Sequence, residues 1–170
     1  MSNYSQLLQN ATWQPSTDMQ LPPSISSWLE LSTSLTTQLK QAFGEVNVCV
    51  LAESWITTLN ENERQFFPKQ ACPCWCREVM LKSQDMPLIF ARTLIPASLL
   101  TQHRELQQLG NRALGEWLFM QSDRIRQKLE LTQDKNTALY ARRALMSIGA
   151  ENMMVAELFL TPQIFTRVVK

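Results

Sequence analysis

The chain has 170 residues, with 16 Lys and Arg against 15 Asp and Glu, one histidine and a formal net charge of +1 at pH 7. Its charges are interspersed without a basic run, which argues against nucleic acid as the main partner. No apolar run approaches the ~20 residues of a membrane span, and the N-terminus lacks the charged and apolar regions of a secretory signal. Four cysteines without an export signal suit a reducing compartment. The expectation is one domain over residues 1–170, cytoplasmic and monomeric, with an N-terminal arm over 1–23.

In that arm a short helical stretch at Tyr4–Leu8 precedes Pro15, Pro22 and Pro23. A helix is predicted from near Ser24, with Ser27 and Glu30 able to form a capping box. Ser32, Thr33 and Ser34 interrupt it, and a second helix, LTTQLKQAF, runs to Gly44 as its stop. Residues 45–56 alternate Val46, Val48 and Val50 against Glu45, Asn47 and Cys49, the pattern of a strand with one buried face. LNENERQFFPKQ is a polar connection anchored by Phe66 and Phe67.

The segment from Cys72 to Pro96 has the form of a β-hairpin, CWCREVMLK and LIFARTLIP joined at SQDMP. Alternation puts Arg77 on one face with Trp75, Val79 and Leu81, and Cys76, Glu78 and Met80 on the other. ASLLTQHRELQQLG then predicts a helix ending at Gly110, and Asn111 can cap a further helix through RALGEWLFM. Three more strand-like runs follow, SDRIRQKLELT, TALYARRALMSI and NMMVAELFLT, with turns at DKN and GAEN. Short turns favour antiparallel pairing. The fold class is therefore α+β, a single six-stranded antiparallel sheet covered by helices.

Few residues invite chemistry. Cys72, Cys74 and Cys76 form C-x-C-x-C. On an extended strand the outer two stand ~13 Å apart, too far to share a zinc with ~2.3 Å bonds, and no second ligand pair exists. His103 lies in a polar helical stretch without a Ser or Cys partner, as a solvated residue would, which removes the usual triads. No glycine-rich phosphate loop is present. Arg77 and Arg92 each stand in an apolar strand, where a guanidinium is tolerated only if paired or meeting an anion. Glu157 is the one carboxylate in MMVAELFL, where an unpaired acid costs several kcal/mol. Either it pairs with Arg77, Arg92 or Arg143, or it faces a closed ligand cavity. The N–H of Leu114 near one helix start, and of Leu35 if Thr33 or Ser34 caps another, lack intrahelical acceptors and suit a carboxylate.

In order and spacing, WCREVML at 75–81, ARTLIPASLL at 91–100, LQQLGNRALGEWLF at 106–119, ARRALMSI at 141–148 and VAELFLTP at 155–162 resemble the chorismate pyruvate-lyase family. Weaker likeness covers SWLELSTSLTTQL at 27–39. The resemblance implies helical flaps closing over a buried ligand pocket, no metal or cofactor, and conversion of chorismate to 4-hydroxybenzoate and pyruvate at the start of ubiquinone biosynthesis. It implies that Arg77 holds the ring carboxylate, that the backbone N–H groups of Leu114 and Leu35 share in binding, and that Glu157 meets the ring hydroxyl, making Arg77 and Glu157 the catalytic pair. Arg92 would receive the second carboxylate or guard the entrance. Leu35 replaces a methionine of the family and Ala91 a glycine; the CPCWC cluster has no counterpart. The competing class is a non-catalytic metabolite sensor of the same fold. Such sensors carry a basic DNA-binding module ahead of the domain, and residues 1–23 are too short for one.

Overall fold

Six runs of alternating or wholly apolar residues become the long strands of one antiparallel sheet in a computed structural model, which describes residues 3–170. They are β2 (Asn47–Ile56), β3 (Cys74–Ser83), β4 (Met86–Pro96), β5 (Arg124–Gln133), β6 (Tyr140–Ile148) and β7 (Glu151–Phe159). A seventh strand, β1 (Gln14–Pro15), pairs with β5 at the edge and makes the order β1-β5-β6-β7-β4-β3-β2. The count of six is corrected to seven. Two residues that include a proline carry no periodicity, and only an edge accepts a residue without an N–H.

Three hairpins, β3–β4, β5–β6 and β6–β7, set the register. In the last, Gly149 takes φ +60, a left-handed turn that glycine adopts without steric cost. Ile148 then faces Glu151, and the ladder runs outward to Arg142 against Glu157.

The sheet is covered on both faces, which is why β3, β4, β6 and β7 show almost no exposed positions. On the back face Phe90, Leu94, Leu145, Met154 and Leu158 pack with Leu8 of α1 (Tyr4–Asn10) and Phe66 of α4 (Glu61–Phe66). The connection predicted as merely polar thus holds a helical turn, capped where the Asn60 side chain accepts from the Glu63 N–H at 2.8 Å. On the other face, α2 (Pro23–Leu29) and α3 (Leu35–Phe43) lay Trp28, Leu29 and Leu39 over Leu81, Ile89 and Phe159. Beside them α5 (Ala97–Gln102) and α6 (Leu114–Met120) set Leu99 and Leu118 over Ile95, Met146 and Met153. Each fully buried leucine is worth roughly 1.5–3 kcal/mol, so these helices are held to the sheet by their apolar faces.

The helix–break–helix over 23–43 forms as predicted, with different caps. Pro23 opens α2 at its first turn, Ser27 lies inside the helix, and no capping box forms. Ser34 caps α3, its hydroxyl accepting from the Thr37 N–H at 3.2 Å. The long helix predicted over 97–110 is broken at His103, whose φ −134 and ψ 69 divide α5 from a 3₁₀ turn at Arg104–Gln108. His103 is half-buried rather than solvated, edge-on to Trp117 with ring centroids 5.2 Å apart. Among the described residues no helix is long and apolar enough to cross a membrane.

Candidate active site

The covering helices leave a gap over the middle of the sheet. There a cavity of about 310 Å³ lies between the strands, the α2–α3 break at Leu31–Thr33, and the start of α6. That volume is near the lower bound of about 300–1,000 Å³ usual for small-ligand sites. Val79, Ala91, Thr93, Ala144 and Val155 form an apolar floor, and Leu35 and Leu114 are in the wall. Arg77 and Glu157 also line it, so four of the residues singled out from the sequence meet in one cavity.

The register fixes their spacing. Arg77 faces Thr93, Thr93 faces Val155, and Glu157 lies two residues along the same strand. Two strand spacings and two residues put the Arg77 and Glu157 Cα atoms ~12 Å apart on the diagonal. With side chains turned inward, that interval suits a small ring carrying a polar group at each end.

Arg77 is buried and already paired. Nη1 donates to Oε1 of Glu53 at 2.5 Å, and Nη2 to the carbonyls of Gly110 at 2.8 Å and Arg112 at 3.0 Å. These bonds use Nη1 and Nη2 alone, and the side chain lines the cavity. Gly110, at φ +58, makes the turn that aims one of those carbonyls. Glu53 is a partner of Arg77 that sequence reasoning missed. Strict alternation from Val46 puts it on the opposite face, but a β-bulge between Val50 and Ala52 inserts one residue and brings Glu53 against Arg77. Val50, paired with Val79 ahead of the bulge, is exposed, contrary to the predicted buried valine face.

At the other end Glu157 pairs with Arg142, which was not among its predicted partners. Nε of Arg142 donates to Oε1 of Glu157 at 3.0 Å. Nη1 of Arg142 reaches the Leu31 carbonyl at 3.0 Å and, at longer range, those of Leu29 and Trp28. The strand that looked intolerant of an acid is therefore supplied with a counter-charge by its hairpin partner. Counting outward from the Gly149 turn would have found it. Arg143, one residue on, points to the back face and pairs with Glu130.

Arg92 is also on the back face, which removes it from the cavity and overturns a role in receiving substrate or guarding the entrance. Its Nε and Nη2 fork onto Glu63 at 2.8 and 3.0 Å, and Nη1 reaches Glu78 at 3.0 Å. Burial alone would lower the guanidinium pKa, but the Glu63 hydrogen bonds and charge raise it above its ordinary value. It is a structural cation.

Leu114 is the first residue of α6, with Ala113 rather than Asn111 as N-cap, and Leu35 is the first of α3. Each N–H lacks an intrahelical acceptor, as the sequence argument required, two positions earlier in α6 than expected. Two further arginines, Arg124 and Arg126, line the cavity from β5, where a second register shift keeps both on this face while Lys128 and Glu130 turn to the back. Among the described residues no group of three His, Cys, Asp or Glu can hold a metal.

A family model described as "Chorismate lyase" matches residues 7–170. The chain is similar to the "Probable chorismate pyruvate-lyase" of Pasteurella multocida (strain Pm70), 97% identical over 170 residues and covering 100% of both chains. It is 31% identical to the protein of the same description in Idiomarina loihiensis, over 88% of this chain and 85% of that one. It is 30% identical to the "Chorismate pyruvate-lyase" of Pectobacterium atrosepticum, over 92% of this chain and 88% of the relative.

Proposed function

The chain belongs to the chorismate lyase family, and we propose that it eliminates pyruvate from chorismate to give 4-hydroxybenzoate, the entry reaction of ubiquinone synthesis. The observation that carries this reading is the partly enclosed cavity with a largely apolar floor, a guanidinium at Arg77 and a carboxylate at Glu157 on its diagonal. Chorismate carries a ring carboxylate at one end and a ring hydroxyl at the other, and the two polar groups match that order.

In this proposal the ring carboxylate lies against the Arg77 guanidinium and the Leu114 N–H, with the Leu35 N–H contributing from the α3 side. Arg77 keeps its place because Glu53, Gly110 and Arg112 hold its other donors. Glu157, oriented by Arg142, accepts from the ring hydroxyl. The C–O bond to the enolpyruvyl group then breaks, and the hydrogen on the hydroxyl-bearing carbon leaves with it. The electron pair completes the aromatic ring, and the departing three-carbon enolate takes up the proton to become pyruvate. Aromatisation supplies the driving force, so the protein positions the substrate and stabilises charge on the leaving oxygen. No step needs a metal or cofactor.

The α2–α3 break and the start of α6 are the flaps of this reading. They roof the cavity and must part for substrate to enter. The same proposal takes the protein as a cytoplasmic monomer. The decisive test is incubation with chorismate while pyruvate and 4-hydroxybenzoate are followed together. Equimolar release of both is expected; tight binding without turnover would make the chain a sensor instead.

A further inference from the structure

Five arginines other than Arg126 reach into the core of this fold, and four of them have a carboxylate of their own. Arg77 has Glu53, Arg142 has Glu157, Arg92 has Glu63 and Glu78, and Arg143 has Glu130. The fifth, Arg124, is occupied by the C-terminal end of α6, donating to the Phe119 and Gln121 carbonyls and lying 4.5 Å over the Phe119 ring. Arg126 shares with Arg124 the lack of a carboxylate partner, but among the described residues no aromatic ring covers it. It lines the cavity, donates only to the neutral carbonyls of Leu31 at 2.8 Å and Glu30 at 3.3 Å, and among the described residues has no ion pair.

Its place in the cavity matters as much as its lack of a partner. Arg126 and Arg142 donate to the same Leu31 carbonyl, so the two guanidiniums converge beside Glu157. The two cations share the Glu157 carboxylate, and the other carboxylate acting on Arg126 is that of the solvent-exposed Glu30. Burial first, and then the Arg142 charge, push the Arg126 guanidinium below its ordinary pKa against the opposing pull of Glu30 and Glu157. Across the sheet, Arg126 lies four strands from Arg77, ~19 Å between main chains, an interval that two inward-pointing arginines narrow to the size of a small dicarboxylate.

Resting on the proposed reaction, we infer that Arg126 is the receptor for the second carboxylate of the substrate, the one carried by the enolpyruvyl arm. The arm is attached to the ring carbon next to the one bearing the hydroxyl. With the ring carboxylate at Arg77 and the hydroxyl at Glu157, the arm must leave the ring at the Glu157 end and off its long axis. That is where the unpaired guanidinium lies. The product 4-hydroxybenzoate keeps the ring carboxylate and has lost the arm, so it engages Arg77 and Glu157 but not Arg126. The same guanidinium holds residues 30 and 31 of the roof, so substrate carboxylate and roof meet on one side chain.

The distinction between dianion and monoanion supplies the test. Steady-state turnover of chorismate and calorimetric affinity for 4-hydroxybenzoate are measured for the wild type, Arg126→Gln and Arg126→Lys. The glutamine variant is expected to lose about 10- to 150-fold in kcat/KM, mainly through KM, while 4-hydroxybenzoate affinity changes less than about threefold. Lysine, which keeps the charge without the fork, recovers part of the loss. A parallel fall in both quantities makes Arg126 a clamp on the roof and overturns the assignment, as does no change in either. Should Arg126→Gln not fold, the lysine variant carries the comparison, and an unchanged ratio of the two quantities refutes it. Wild-type protein that releases no pyruvate would refute the reaction itself, a failure visible before any variant is compared.

Discussion

Arg77 is a buried ion-pair partner and, in the proposed reaction, also the donor to the substrate carboxylate, and replacing it by methionine should separate the two roles. The guanidinium is almost fully buried and gives one charge-assisted hydrogen bond to Glu53 and two to the carbonyls of Gly110 and Arg112. Removing one partner of a buried pair costs about 3–5 kcal/mol, because the other charge is stranded. For a chain of this length each kcal/mol moves Tm by about 2–4 °C, so Arg77→Met should melt on the order of 6–20 °C lower yet remain folded. Loss of the donor to the substrate carboxylate removes a further ~1.5–3 kcal/mol of binding, roughly 10- to 150-fold in kcat/KM. Adding Glu53→Gln removes the stranded charge. Thermal melts and chorismate kinetics on Arg77→Met and the double variant decide the matter. The double variant should regain stability without regaining kcat/KM. If both return together, Arg77 is only a structural pair; if Arg77→Met changes neither, the geometry has been misread.

Glu157→Gln keeps the shape and hydrogen bonding of the side chain, so kcat/KM should fall modestly, and Glu157→Ala should fall further. A glutamine loss of ~10²–10⁴-fold would instead identify proton transfer. Arg92→Leu strands the buried Glu63 carboxylate and should lower stability by about 3–5 kcal/mol, with kcat/KM of the folded protein unchanged because the side chain faces away from the cavity. Burial pushes the Cys74 thiol up to about 12 and the Cys76 thiol up to about 11. Both keep their protons longer when folded than unfolded, so stability should fall as pH rises from about 9 toward 11–12, a slope that Cys74→Ala reduces in urea titrations. At pH 8 iodoacetamide should label the partly exposed Cys49 and Cys72 well before Cys74 and Cys76; uniform labelling would contradict the burial.

The strands were legible because burial on one or both faces writes itself into hydrophobic periodicity. Arg77 was placed correctly with Val79 and Leu81 by counting in twos along β3. Glu157 stood out because it is the lone acid of the apolar run MMVAELFL. What stayed hidden lies where periodicity breaks or says nothing. Glu53 was concealed by a bulge, since one inserted residue inverts every later assignment on the strand. Arg92 was misassigned because an arginine in an apolar strand looks the same from either face, and its partner Glu63 comes from a helix 29 residues earlier. The break at His103 carries no proline or glycine. Its packing against Trp117 is a tertiary effect that local propensity cannot register.

Arg142 and Arg143 are adjacent in sequence and serve opposite faces of the sheet, so the site depends on the register of β6 as much as on the identity of its residues. A slip of one residue would bring Arg143 into the cavity and send Arg142 to the back. The back face resists such a slip. There the Arg143 guanidinium lies 4.8 Å from the Trp13 ring and 4.3 Å from the Phe66 ring, and Nη2 meets Glu130 at 2.6 Å. Trp13 comes from the N-terminal segment beside β1 and Phe66 from α4, neither of which touches the cavity. Their contribution to the chemistry is to make one register of β6 much better satisfied than its neighbours. Glu157 has its counter-charge only because an aromatic box on the far side of the sheet holds the next residue along.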